Sequence, residues 1–307
     1  MLDWIELLCF IAGVWTVLKI TLELFTVIKS LKSKVNYSSY GLNSWALITA
    51  PTDGLGLGFA EFLASQGFNI VLVGRNPVKL QSVSKLLQEK FPITTKFIVK
   101  DFFDSAKNPQ EFFNDIKAQT RGLDISILVN NIGFGSGGKY FAVMTEEEVL
   151  HSNAMNIWPV AFLTRLYLPD MILRKSSSAI INLSSIASTF PMPGSGIYSA
   201  DKSFDNLFSL IVAEEAKYLM KGKGSKIDVL SVRPGFVDTP MTKSLSFRPL
   251  LTSVNESIEP ICRALGSVNY TYGHWKHTLL GLYTNLTKDI APYAVMNETI
   301  NSNIIKK

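Results

Sequence analysis

The stretch Trp45-Ala46-Leu47-Ile48-Thr49-Ala50-Pro51-Thr52-Asp53-Gly54-Leu55-Gly56 decides how the rest of the chain is read. Trp45 to Ala50 is an apolar run of strand length, and Leu55 to Gln66 has the apolar spacing of an amphipathic helix. Glycines between the two let backbone approach a ligand closely, and a helix starting there aims its first N–H groups at an anion. Strand, glycine turn and helix in that order predict a site for a phosphate group. The same residues also suit a structural turn that binds nothing, so the neighbouring segments have to choose.

Those segments repeat the alternation. Asn69 to Val73 and Val78 to Lys90 read as strand and helix; Thr95 to Lys100 and Ile125 to Val129 read as strands, with a helix from Pro109 to Thr120 between them. The pattern predicts an α/β fold, a single doubly wound parallel sheet with helices on both faces and ligands at the carboxyl ends of its strands. Farther on, Ala179 to Leu183 is another strand-like run and ends in Ser184-Ser185. Tyr198 and Lys202 then open a segment with helical apolar spacing that runs to Met220. Four residues apart, they share a helix face. A phenol with a pKa of about 10 is a poor acid at neutral pH, and a nearby ammonium lowers it by favouring the phenolate. With a serine hydroxyl alongside, the group can protonate a carbonyl oxygen and hold the oxyanion that forms. Alone, a Tyr-x-x-x-Lys pair reads equally well as an exposed helical pair.

The composition is globular, 47% hydrophobic and 18% charged over 307 residues, with no internal repeat. Cys9 and Cys262 lie too far apart to suggest a disulfide framework or a cysteine metal site, and His151, His274 and His277 read as ordinary side chains. The first thirty residues differ in kind. Trp4 to Ile28 is mostly apolar, and about 25 helical residues exceed the roughly 30 Å hydrocarbon core, which predicts a membrane helix. A helix lying in the interface plane is the competing reading. Lys19 and Glu23 interrupt the run at a spacing that lets them pair, and Lys29, Lys32 and Lys34 after it place the remainder on the cytosolic side. A net charge of +5 suits anionic headgroups or a phosphate-bearing substrate, and no nucleic-acid motif accompanies it.

The turn at Thr49 to Gly56 resembles the Thr-Gly-x-x-x-Gly-x-Gly turn of the short-chain dehydrogenase/reductase family, with Ala50 in place of the first glycine and Pro51 after it. More marks follow in family order. Asp101 matches the acid that contacts adenine; Asn130-Asn131-Ile132-Gly133 matches the motif that closes the fourth strand; Asn156 matches the asparagine of the proton relay. Pro234-Gly235-Phe236-Val237-Asp238-Thr239 resembles the turn that contacts the nicotinamide amide through Val237 and Thr239. The resemblance covers roughly Ser44 to Thr239 and implies a Rossmann-type sheet and hydride transfer to a carbonyl. It assigns catalysis to Asn156, Ser185, Tyr198 and Lys202, and cofactor binding to Thr49, Thr52, Asp53, Gly54, Leu55, Gly56, Arg75, Asp101, Asn131, Gly133, Tyr198, Lys202, Val237 and Thr239. Ser185 is chosen over Ser184 because its interval to Tyr198 matches the family. Arg75 stands where an NAD site would carry an acid, and its charge suits a 2′-phosphate, so the expected cofactor is NADPH.

The amino-terminal membrane segment, Asn130 to Gly133 and the tail around Tyr272 to His277 resemble one branch of that family, the microsomal very-long-chain 3-oxoacyl-CoA reductases and related 17-beta-hydroxysteroid dehydrogenases. That implies a long-chain acyl-CoA or other apolar ketone as substrate, residence at the endoplasmic reticulum, other fatty-acid elongation enzymes as partners, and a homodimer paired through the helices bearing Asn156 and Tyr198. A steroid ketoreductase and a non-catalytic membrane-anchored scaffold remain open. The expected organisation is an anchor at 1–30, a polar linker at 31–43 and the dehydrogenase domain at 44–307. Within the last, Pro240 to Thr252 is either a substrate loop or core packing, and Leu279 to Leu286 either packs on the domain or rests on the bilayer.

Overall fold

The structure is a computed structural model and describes residues 3–135, 139–243 and 250–287. The chain begins with α1 (Trp4–Lys32), a 29-residue helix whose apolar side chains stay exposed over most of its length. Thereafter strand and helix alternate: β1 (Trp45–Thr49), α2 (Gly54–Ser65), β2 (Asn69–Gly74), α3 (Pro77–Lys90), β3 (Thr95–Val99), α4 (Pro109–Gln119), β4 (Ile125–Asn130), α5 (Glu146–Asn156), α6 (Trp158–Leu173), β5 (Ser178–Leu183), α7 (Tyr198–Leu219), β6 (Ile227–Val232), α8 (Val254–Ala264), β7 (Tyr270–Thr271) and α9 (Trp275–Thr287). The strands form one parallel sheet in the order β3-β2-β1-β4-β5-β6-β7. The order reverses between β1 and β4, which in a doubly wound sheet puts the ligand cleft at the carboxyl ends of those two strands.

Central strands are buried on both faces, and period-two alternation divides their side chains between two cores. Ala46, Ile48, Ile70, Leu72, Ile127, Val129 and Ile181 pack with Phe59 and Leu63 of α2, Leu80 of α3 and Ile258 and Ile261 of α8. Leu47, Val71, Val73, Leu128 and Ile180 face the other way, onto Phe113 of α4, Leu163 and Tyr167 of α6 and Val212 of α7. A one-residue slip of any strand would exchange these sets, so burial fixes the register. Buried amides add a second constraint: Asn130 Nδ2 donates to Asn182 Oδ1 at 2.8 Å, and Asn182 Nδ2 donates to Ser209 Oγ at 2.9 Å.

Two expectations need correction. The segment expected as a polar linker is packed: Tyr37 and Tyr40 are buried, Tyr37 donates to the Cys262 carbonyl at 2.9 Å, and Tyr40 donates to Asp228 at 2.8 Å. Each ring brings far more apolar area than the intervening serines bring polar atoms, so the segment wraps the core instead of tethering it. Glu23 finds its partner off the helix, where Asn285 Nδ2 donates to its Oε1 at 2.8 Å, so α9 rather than Lys19 satisfies the carboxylate.

Candidate active site

The phosphate turn follows directly from β1. Ala50 adopts φ +51°, a left-handed conformation that its methyl disfavours and that a glycine would accept freely. Pro51 excludes the right-handed helical region for the residue before it, and bonds on both sides hold Ala50 where it is. Its N–H donates to Val73 O at 2.8 Å, and its carbonyl accepts from Asn131 Nδ2 at 3.1 Å. Asn131 Nδ2 also reaches Thr49 O at 3.0 Å. The turn that departs from the family pattern is thus locked by a residue that matches it.

Thr49 is fully buried, and its Oγ1 accepts the N–H groups of Asn131 and Ile132, each at 2.9 Å. It therefore stands behind the turn, tying β1 to β4, while Asp53 is exposed, Thr52 and Gly54 are half-buried and Leu55 packs on the core. Gly56 is required by proximity, because a Cβ there would stand 2.1 Å from the Ala50 carbonyl oxygen. A Cβ on Gly54 would meet Thr239 Cγ2 at 3.0 Å, so the turn lies against the segment carrying Val237 and Thr239. Helix α2 makes its first internal bond from Leu57 N–H to Asp53 O at 3.1 Å, which leaves the earlier N–H groups at the turn for an anion. Arg75 is exposed just past β2, and Asp101, past β3, caps the next turn by accepting from Phe103 N–H at 3.2 Å. A helix terminus with a glycine turn and a cation one strand away fits a dinucleotide phosphate by its chemistry.

At the other end of the cleft, α7 begins at Tyr198, and Ser185 follows β5. Ser185 Oγ accepts from Ala187 N–H at 3.1 Å, which orients the hydroxyl, whereas Ser184 is buried and donates to Lys202 O at 2.6 Å. Lys202 is buried, with Nζ 6.0 Å from the Tyr198 ring centroid. Nζ donates to Leu183 O and to Asp205 Oδ2, both at 2.8 Å, which commits two of the three donors of an ammonium. Gly133 passes close enough that a Cβ on it would sit 3.4 Å from Lys202 Nζ. Asn156 is buried and reaches the same cluster, but its side chain is taken up by protein: Oδ1 accepts Phe134 N–H at 2.8 Å, and Nδ2 donates to Phe134 O at 3.0 Å and to Asp201 Oδ2 at 2.9 Å.

Sequence reasoning missed the two acids that flank the lysine. Asp201 and Asp205 are both buried, and each keeps an Oδ1 with no hydrogen-bond partner. Burial raises the Asp205 carboxyl to about 6, with Lys202 pulling it down and Asp201 pushing it up. Burial also works against the Lys202 ammonium, yet Asp205, Tyr198 and Asp201 together hold its pKa above the ordinary lysine value. The site thus contains an ion pair at neutral pH whose acid neutralises as pH falls through about 6. The available signal was a pair of acids at i−1 and i+3 around a helical lysine, a spacing otherwise typical of a solvated face. His277 was read as ordinary; it is buried against Gly235, its Nε2 lies 3.1 Å from Phe236 O, and it braces the turn leading to Val237. No cluster of histidine, cysteine and acidic residues able to hold a metal occurs among the described residues. Of the apolar loop expected at Pro240 to Thr252, the middle part, residues 244–249, lies outside the described residues.

The comparisons with known proteins agree with this geometry. The family model for short chain dehydrogenases matches residues 44–248. The very-long-chain 3-oxoacyl-CoA reductase of Homo sapiens is 36% identical over 263 residues, which cover 84% of this chain and 80% of that protein. An inactive hydroxysteroid dehydrogenase-like protein 1 from Pongo abelii is 34% identical over 244 residues, 78% of this chain and 71% of that protein. Among solved structures, a 7beta-hydroxysteroid dehydrogenase superposes with a TM-score of 0.71 at 23% identity, covering 87% of this chain and 99% of that one, and shares the fold. With the sheet order, the locked turn and the Tyr198–Lys202 pair in place, these matches assign the chain to the short-chain dehydrogenase/reductase family, a family of oxidoreductases.

Proposed function

We propose that the protein reduces very-long-chain 3-oxoacyl-CoA to the 3-hydroxyacyl-CoA with NADPH, at the endoplasmic reticulum membrane and from its cytosolic side. The observation that carries this reading is the buried Lys202 ammonium beside Tyr198, at the end of a cleft whose other end is a helix amino terminus with Arg75 nearby. The reductases so named among the relatives support the substrate class. The apolar α1, followed by Lys29, Lys32 and Lys34, supports the location.

Bound NADPH supplies a hydride to the ketone carbon; the remaining chemistry belongs to the chain. Tyr198 donates its phenolic proton to the oxygen as the carbon–oxygen double bond becomes an alkoxide, and the Lys202 ammonium stabilises the phenolate left behind. Ser185 donates a hydrogen bond to the same oxygen, where charge appears only in the transition state. Lys202 keeps one donor for a ribose hydroxyl after serving Leu183 and Asp205. Asn156 acts by holding Phe134 and Asp201, which fixes the wall of the site around the lysine. At the far end the α2 amino terminus receives the pyrophosphate and Arg75 the 2′-phosphate.

The testing experiment is a substrate panel. Purified protein in lipid or mild detergent is given NADPH with long and short 3-oxoacyl-CoA esters and with steroid ketones. Turnover of the long acyl-CoA esters is expected; turnover confined to the steroids would move the assignment to a steroid ketoreductase, and none on any ketone would favour a scaffold.

A further inference from the structure

Helix α1 meets the rest of the protein along a single face of its last turns. Ile20, Glu23, Thr26, Val27 and Ser30 are the positions there that lose solvent, at the spacing of one helix face, while every described residue before Ile20 is exposed. The contacts on that face are specific: Glu23 accepts from Asn285, Ser30 Oγ lies 3.5 Å from Thr271 Oγ1, and Ser33 donates to the Arg263 carbonyl. Thr26, Val27 and Ser30 also line a small cleft with Tyr270, Tyr272 and Thr278. Since Asn285 meets Glu23 while Thr278 sits near Ser30, α9 runs antiparallel to the end of α1.

This docking limits how far α1 extends on its own. Trp4 to Lys19 is a free segment of about 24 Å at 1.5 Å per residue, short of a hydrocarbon core of about 30 Å. The missing length is about one helical turn, which brings the apolar layer down to the level of Glu23. Leu22, Leu24, Phe25 and Ile28 remain exposed over that stretch, as apolar helix surface continuing toward Lys29. On α9, Trp275, Leu279 and Tyr283 form an i, i+4, i+8 stripe, exposed by 57%, 57% and 49%, opposite the buried His277, Thr278 and Thr284. By the contacts above, Tyr283 lies at about the depth of Phe25 and Leu279 at about that of Lys29, and Trp275 lies beyond it beside Lys32 and Lys34, where an indole suits the headgroup boundary.

We propose that the exposed stripe of α9 is a lipid-contacting surface: α1 and α9 together form a shoulder that sits in the bilayer interface down to the level of Glu23. The proposal rests on the reading of α1 as a membrane anchor. Its occupant is lipid because the stripe continues the exposed apolar surface of α1 and then runs beside Lys29 and Lys32, cations suited to the phosphates of the headgroup layer.

Fluorescent labelling of the full chain in vesicles of phosphatidylcholine and phosphatidylserine separates the possibilities. Cys262 is buried, so an environment-sensitive thiol dye attaches to the exposed native Cys9, which reports the anchor. In a Cys9→Ser background, Leu279→Cys reports the shoulder and Val78→Cys, on α3 at the opposite edge of the sheet, reports bulk water. Doxyl-labelled lipids should quench the dye at 9 and at 279 by about twofold or more and leave 78 unchanged. Quenching at 9 but not at 279 overturns the shoulder and leaves the anchor standing, including the case in which the dye at 279 is shielded from water by protein. Absence of quenching at both positions overturns the anchor and the shoulder together.

Discussion

The two ends of the cleft are built on opposite principles. The phosphate turn departs from the family pattern at Ala50 and Pro51, yet it is closed by contacts that do not depend on which small residue occupies position 50: Val73 O, Asn131 Nδ2 and the Thr49 hydroxyl. The end proposed as catalytic keeps Ser185, Tyr198 and Lys202, and in that proposal the identity and charge of each group decide the chemistry. Backbone shape at the first end tolerates substitution at a modest cost, because neighbours hold it; charge placement at the second does not. A departure from the motif at the turn is therefore weak evidence for lost catalysis, even though an inactive relative exists.

Substitutions at the two ends should differ accordingly. Tyr198→Phe removes the proton donor and leaves the turn untouched, so turnover should fall by about 10²–10⁴-fold. Cofactor affinity, measured by tryptophan quenching, should stay unchanged; a weakened affinity would show that the hydroxyl serves binding more than catalysis. Arg75→Ala should lower the preference for NADPH over NADH by about tenfold or more, the value of a charge-assisted bond. An unchanged ratio of specificities would place the 2′-phosphate elsewhere.

Asp205→Asn tests the charge balance itself. In the parent protein the Asp205 carboxylate offsets the Lys202 ammonium above pH about 6, and this compensation is lost as the acid takes up a proton below that pH. Removing the negative charge takes away the largest influence that holds the Lys202 ammonium against burial, so Lys202 should lose its proton at lower pH. The alkaline limb of the pH profile for ketone reduction, where the ammonium is lost, should move down by about one unit. A profile that keeps its position would make Asp205 a packing residue only. Ala50→Gly should have the smallest effect: relief of the left-handed backbone is worth about 1 kcal/mol, or about 2–4 °C in Tm. A loss of stability would mean that the methyl contributes more by packing than it costs in strain.

The parallel sheet and its helices were legible because strand burial on two faces and helical apolar spacing leave unambiguous periods, as β2 and α3 show. The positions of Ser185, Tyr198 and Lys202 could also be read, since their spacing belongs to one strand end and one helix face. Partners that depend on tertiary approach could not. Thr49 is a proposed cofactor contact by resemblance, and that β4 binds its hydroxyl could not be read from its place at the start of the turn. Tyr37 and Tyr40 sit among polar residues and are drawn into the core by α8 and β6. Asp201 and Asp205 resemble solvated helix charges until α5 and β5 pack over them, and Glu23 meets α9 across 262 residues of chain.

The central claim, that this cleft transfers hydride to a long acyl ketone while Tyr198 supplies the proton, is tested most directly by a single turnover with NADPH deuterated at the transferring position. The protein in lipid is mixed with a very-long-chain 3-oxoacyl-CoA and the product is analysed by mass. The account predicts a 3-hydroxyacyl-CoA carrying one deuterium on the carbon that bears the new hydroxyl, formed by the parent chain and not by Tyr198→Phe. Bound cofactor with no labelled product from the parent chain, or equal product from both, would contradict it.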